Sequence, residues 1–337
     1  MNLAHRLALR VPAIRRLRDA RDALTGERNA LLDRLAASRA AAAPSPFVHY
    51  NASFDPQAVM RRHAAPDLQP RPGYLTNYLG VLIDPKYLPN VLAGRGGTVE
   101  AIPIPANWHA DIAEWGAALR AVDLARGSFV VIELGCGWGC WMNNTGVAAR
   151  RAGLDVHLIG VEGDAGHLAF AREATAANGF APRQVTLHHG VAAATAGTAL
   201  FPRQAQAGMA WGLEPVFGAS AAAQAQAARS GSHDALTMIT LAELTAAWPR
   251  IDLLHVDIQG GEADLIAGSL PVLREKVAYL LIGTHTRQIE GALFGTLLAA
   301  GWQLEIERPA LLAVGPEGPV VTVDGVQGWR NPALLPA

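Results

Sequence analysis

Three glycines at alternate positions, Gly135, Gly137 and Gly139, close the apolar run Phe129-Val-Val-Ile-Glu-Leu134, and Glu162, Asp257 and His285 close later runs of the same kind. That spacing suits binding and transfer chemistry. A buried strand that stops in a tight glycine turn lets a ligand approach bare backbone beyond the strand's end, and an acid about one βαβ unit later can accept hydrogen bonds from both hydroxyls of a ribose. Together they predict an adenosine-containing cofactor. A nicotinamide fingerprint would carry its third glycine where Cys140 stands, whereas G-x-G-x-G with Glu133 inside the strand favours S-adenosylmethionine, which has no pyrophosphate to seat on a helix N-terminus. A nicotinamide oxidoreductase is the disfavoured alternative.

Asp257 heads the turn Ile258-Gln-Gly-Gly-Glu262, where a carboxylate can touch the cofactor's methionine end or orient an acceptor hydroxyl; Glu262 reads as a helix-start residue. His285 ends the following strand. An imidazole of ordinary pKa, ~6.5, could take the proton that a hydroxyl loses as its bond to carbon forms. The expected catalytic pair is therefore His285 and Asp257. Glu133, Gly135, Cys136, Gly137, Glu162, His189 and Asp257 are expected at the cofactor, and Tyr74, Asn77, Trp211 and Gln259 at the acceptor. Cys136 and Cys140 are the only cysteines, both in the glycine loop, so neither a disulfide framework nor a paired zinc ligand set is read; Mg²⁺ is the less favoured alternative to metal-free chemistry.

These residues need a parallel sheet to bring their strand ends together, and the chain from about 126 supplies alternating strand-like and helical stretches. Strands are expected at His157–Glu162, Val185–His189, Ile251–Asp257 and Val277–His285. Trp302–Ile306 and Val320–Val323 are expected to close the sheet as an antiparallel pair. An Ala/Gln-rich insertion from about 192 to 240 reads as a mobile lid. The expected organisation is an amphipathic or coiled-coil helix over 1–42, an accessory region over 43–125 and the cofactor domain over 126–332. In the first segment Ile14, Leu17, Leu24 and Leu31 fall near heptad spacing among arginines, which predicts self-association, or docking on an anionic membrane or on a partner such as a glycosyltransferase.

Composition sets outer bounds. The chain has 337 residues, half of them hydrophobic, and a formal net charge of −1, which supplies a sizeable core and argues against a dedicated nucleic-acid binder. The cysteine usage suits a reducing cytoplasm, and arginines interrupt any N-terminal stretch of signal-peptide length.

Four blocks, Val131–Gly139, Gly160–Asp164, Met238–Leu244 leading into His255–Glu262, and Asp324–Pro332, make the region from about 126 to 332 resemble the FkbM-like family of S-adenosylmethionine-dependent methyltransferases. The resemblance implies a class I, Rossmann-like fold with a seven-stranded, mostly parallel sheet and an antiparallel end strand. It also implies O-methylation of hydroxyls on sugars or natural products. Glu133, Gly135, Gly137 and Glu162 would then hold the cofactor, with Asp257 at the transfer site. Gln259 stands where many relatives have Glu, and Gly283-Thr-His285 replaces a more acidic strand end. The resulting expectation is a cytoplasmic O-methyltransferase of a sugar or glycan, with a polyketide or other natural-product acceptor as the alternative and a non-catalytic scaffold as the alternative class.

Overall fold

The computed structural model describes residues 45–336 and six earlier positions, Pro12, Arg16, Ala20, Ala23, Leu24 and Leu31, each helical and exposed. The coiled-coil expectation for 1–42 otherwise lies outside the described residues. The described residues divide before Tyr50, and those from Tyr50 onward make up the second of two compact units.

The second unit is built on an eight-stranded sheet of Asn51–Ala52 (β1), Ser128–Leu134 (β2), Asp155–Glu162 (β3), Val185–His189 (β4), Leu253–Val256 (β5), Tyr279–Thr284 (β6), Gln303–Arg308 (β7) and Gly325–Arg330 (β8). Their spatial order is β1-β7-β8-β6-β5-β2-β3-β4. β2 shows why these runs become central strands. Phe129 and Val131 enter the core on one face while Val130, Ile132 and Leu134 enter the core on the other, the two-residue alternation of a strand covered on both sides. Neighbouring strands from β4 through to β6 pair in parallel, and β8 runs antiparallel to both β6 and β7. This is a Rossmann-like α/β sheet, with two differences from expectation. An eighth, edge strand β1 pairs antiparallel with β7. The tail strand that enters the sheet is Gly325–Arg330, not Val320–Val323, which instead forms a hairpin with Leu311–Gly315. Exposed Val314 and Val320 fit that placement, because a strand inside the sheet would bury them.

Helices flanking the sheet include Pro56–His63 (α1), Ile112–Leu124 (α2), Cys140–Arg151 (α3), Ala165–Ala177 (α4), Glu262–Lys276 (α5) and Arg287–Ala299 (α6). Helix α2 starts at a capping box, in which the Asp111 carboxylate accepts from the Ala113 and Glu114 amides and Glu114 reaches back to the Asp111 amide. The 192–240 insertion is itself folded. Val191–Ala192, Gly197–Pro202 and His233–Ile239 make a three-stranded sheet, with a helix at Ala221–Ser230. Among the described residues no helix is long and apolar enough to cross a membrane.

After β2 the chain builds outward through β3 to β4, then returns to lay β5 on the other side of β2. That reversal opens a crevice at the carboxyl ends of β2 and β5, the place where open α/β sheets bind ligands.

Candidate active site

A cavity of about 350 Å³ occupies the crevice, within the range of small-molecule sites. Of the residues singled out from sequence, Gly135, Cys136, Gly137, Glu133, Glu162, Trp211, Asp257 and Gln259 line it. The glycines work differently from expectation. Rather than offering bare amides, Gly135 and Cys136 donate to the Val161 carbonyl at 3.0 Å, and Gly137 donates to Glu162 at 2.8 Å. What they provide is close approach. Gly135 has φ +71°, and a Cβ there would lie 2.1 Å from the Asp257 carbonyl, so the glycine lets β2 and β5 end side by side.

Two acids brace this loop. Glu162 accepts from the Gly137 amide through Oε2 and from the Asp164 amide through Oε1 at 2.7 Å, and burial raises its pKa against those bonds. Glu133 accepts from the Trp141 and Met142 amides at 3.0 and 2.9 Å, capping α3, whose N-cap Gly139 has no side chain to do so. Burial pushes Glu133 up to about 8 despite those amides, and Asp257 and Glu162 add to the rise.

Asp257 follows β5 and keeps 41% of its side chain accessible toward the cavity. Burial would raise its pKa, but His285 Nε2 at 3.2 Å, His255 and the Gln259 amide hold it below the ordinary value. His285 Nδ1 in turn meets Glu262 Oε1 at 3.0 Å. Glu262 is fully buried and also accepts from the Ile258 and Gly260 amides, so it shapes the turn after Asp257 as well as opening α5. Burial would lower the pKa of His285, yet its two carboxylates lift it to about 10. The ring is an imidazolium at neutral pH with both nitrogens engaged. This corrects the expectation of a base at His285: a protonated ring cannot accept a proton, and its Nε2 is turned to Asp257 instead.

The ligand atoms of Asp257, Glu262 and His285 fall within 4.8 Å of one another. The carboxylates, however, face opposite nitrogens of the ring, so His285 bridges them instead of converging with them on one point.

An expected result follows from the raised pKa of His285. Its extra stabilisation is complete below the unfolded value of 6.5 and is lost as pH climbs through about 10. The thermal-midpoint gap between wild type and His285→Gln should shrink steadily across that window; a gap that is flat with pH would remove the imidazolium clamp.

Three further expectations are corrected in position. His189 is exposed, bonds the Gly163 carbonyl and does not line the cavity. Tyr74 lies under Arg71, away from the lining. Asn77 is buried and spends its oxygen on the Leu79 and Val81 amides and its NH₂ on Asn144, so it organises a turn. Trp211 stacks on His167 with centroids 4.0 Å apart, both rings lining the cavity beside the glycine loop.

The cavity lining also contains residues to which the sequence reading gave no place at the site: Trp108, His109, Glu114, Trp138, Cys140, Trp141 and His255. His109 sits among Trp108, Trp138 and Trp141 and contacts Cys140. Burial holds His109 and His255 down to about 4, so both are neutral imidazoles. Burial also pushes Glu114 up to about 8, with Asp111 adding to the rise. One signal for His255 was present, since it precedes Asp257 by two residues and so shares its strand face.

A protein from Jannaschia sp. (strain CCS1) named "Putative methyltransferase" is 45% identical to this chain over 275 residues, which cover 82% of this chain and 98% of that protein. No family model matches the chain. Similar solved structures include the methyltransferase FkbM from Methylobacillus flagellatus KT, at 12% identity over 65% of this chain and 54% of that one with a TM-score of 0.40. They also include the C-terminal domain of precorrin-6Y C5,15-methyltransferase from Rhodobacter capsulatus, at 13% identity over 67% and 91% with a TM-score of 0.36.

Proposed function

The chain belongs to the methyltransferase family of its Jannaschia relative, and from that premise we propose that it transfers a methyl group from S-adenosylmethionine to a hydroxyl of a sugar or glycan. One observation carries the reading: the glycine loop and Glu162 share a cavity with Asp257 and two neutral imidazoles. The cofactor fits the residues present. Glu162 retains acceptor capacity for a ribose diol beside the close backbone approach at Gly135 and Gly137. When bound, S-adenosylmethionine supplies a methyl group on a sulfonium that leaves as a neutral thioether.

The chain's own residues then have separable tasks. Glu162 braces the loop and presents its carboxylate to the nucleoside. Asp257, kept ionised by His285, orients the acceptor hydroxyl. His255 or His109, neutral and facing the same cavity, accepts the hydroxyl's proton as the new O–C bond forms. The FkbM-like reading agrees with this arrangement, since three of its four sequence blocks contribute residues to the lining. A second reading, O-methylation of a natural product, is favoured by the Trp108, Trp138 and Trp141 surfaces, which suit a flat apolar acceptor.

A screen with isotopically labelled S-adenosylmethionine against neutral glycosides, glycans and phenolic or polyketide alcohols tests both. A methyl ether located by mass spectrometry and NMR on a glycoside is the expected product. Methyl transfer to nitrogen or carbon instead would remove the O-methyl assignment. Absence of any thermal stabilisation by S-adenosylhomocysteine would remove the cofactor.

A further inference from the structure

We propose that fixed hydrogen bonds divide the work of the cavity's histidines: Cys140 positions His109 as a hydrogen-bond donor to the acceptor molecule, and His255 is the base that takes the acceptor's proton. The proposal rests on the methyl-transfer reading and settles a step which that reading left open between two rings.

The direction of each bond follows from a chain that starts at the backbone. Asn77 Oδ1 accepts from the Leu79 and Val81 amides, which can only donate, so it is the Asn77 NH₂ that meets Asn144. The Asn144 atom it meets, at 2.7 Å, must then be Oδ1, which leaves the Asn144 NH₂ to donate to Cys140 Sγ at 3.1 Å. A sulfur that already receives a hydrogen bond turns its own S–H to its other partner, His109 Nε2. Burial keeps the thiol protonated and His109 neutral, so the contact is not a thiolate–imidazolium pair. With Nε2 accepting, the ring proton of His109 sits on Nδ1.

Three histidines line the cavity, His109, His167 and His255. His167 spends its Nε2 on the Gly208 amide at 3.1 Å. His255 is different. Its Nδ1 is buried without a hydrogen-bond partner, 3.9 Å from Glu133 Oε1, an oxygen that accepts from the Trp141 amide. A bare nitrogen there would set lone pair against lone pair, so Nδ1 carries the proton and Nε2 the free pair. The buried side-chain nitrogens that lack a partner among the described residues include His255 Nδ1 but neither His255 Nε2 nor His109 Nδ1, and these two bond no protein group either. They are therefore the open atoms of their rings. Both rings pack against Trp141, with centroids at 5.3 and 5.9 Å, which makes them neighbours in the lining.

One tautomer thus offers the acceptor two opposite groups. His109 Nδ1–H donates to an oxygen lone pair of the bound acceptor, while His255 Nε2 faces the hydroxyl that reacts. As that oxygen bonds the methyl carbon, the electron pair of the C–S bond stays on sulfur and the hydroxyl proton passes to Nε2. The imidazolium so formed turns its Nδ1–H toward Glu133.

Nitrogen-15 NMR of the free protein, labelled in its histidine rings, tests the assignment without any ligand. Wild-type His109 is expected to show a protonated Nδ1 and a bare Nε2. Cys140→Ala should populate the Nε2–H form, and Cys140→Ser, which keeps an O–H donor, should retain the wild-type form. A bare Nδ1 on wild-type His109, or a tautomer that Cys140→Ala leaves unmoved, overturns the proposal. Single turnover on the glycoside methylated in the labelled screen tests the division of work. His255→Gln should slow transfer by about 10²–10³, the range for loss of a proton-accepting group, whereas His109→Asn, which keeps an N–H donor, should lose about tenfold or less. Cys140→Ala should raise the acceptor KM about fivefold, the worth of one neutral hydrogen bond, with a smaller change in kcat. A His109→Asn loss as large as that of His255→Gln overturns the choice of base. If no acceptor is methylated, the methyl-transfer reading fails and takes the base with it, while the NMR result still decides how Cys140 sets His109.

Discussion

Glu162→Ala is expected to raise the dissociation constant for S-adenosylhomocysteine on the order of 100-fold or more, with the fold retained. The side chain accepts from the Gly137 and Asp164 amides, and the proposed function assigns it the ribose diol. Hydrogen bonds to a charged acceptor are worth about 1.5–3 kcal/mol each, and removing the acceptor also leaves one buried and one part-buried amide without their partner. The loss would fall on binding because the unbraced glycine loop must be reordered each time a ligand enters. Calorimetric titration decides the matter: an affinity within threefold of wild type would mean that Glu162 serves the loop alone.

Asp257→Asn is expected to slow methyl transfer by about 10²–10³ in single turnover at saturating cofactor, the range typical for loss of a positioned charged or proton-handling group. Asparagine keeps the shape but loses the charge that His285 stabilises and to which the proposed function gives the alignment of the hydroxyl. Two carboxylates hold the imidazolium in the wild type, and Glu262 alone remains in the variant. The pKa of His285 should therefore fall from about 10, a shift that NMR of the labelled ring would follow. A normal transfer rate combined with an unmoved His285 would show that the charge of Asp257 has no part in the reaction.

The parts of the site legible from sequence were those built by local rules. An apolar run ending in alternating glycines predicts a strand end, and Glu162 and Asp257 follow from the same rule applied to later runs. The role of His285 was misread because its environment is not local. Glu262 returns to it from the start of α5, 23 residues earlier, and converts an ordinary imidazole into a clamped cation. Glu114 was hidden by having a complete local explanation as the third residue of a capping box. Its place in the cavity lining appears only when α2 is laid over the strand ends. His109 and the tryptophans share that difficulty, since aromatic residues in a core and around a ligand look alike until the cavity is seen. The tail strand was displaced by five residues because a solvent-facing hairpin has the same β-branched composition as a buried strand.

The position of β8 also bears on how the chain can assemble. Residues 325–330 lie between β6 and β7, pairing with both, although both precede them in the sequence. During synthesis, β6 and β7 must wait with unpaired backbone edges until this segment emerges, since no earlier strand occupies the gap. The crevice at β2 and β5 belongs to strands already made, but the sheet that stiffens it closes from its other flank and closes late. Premature release of the chain before Gly325 would therefore free a molecule with most of its binding residues and an open, association-prone edge.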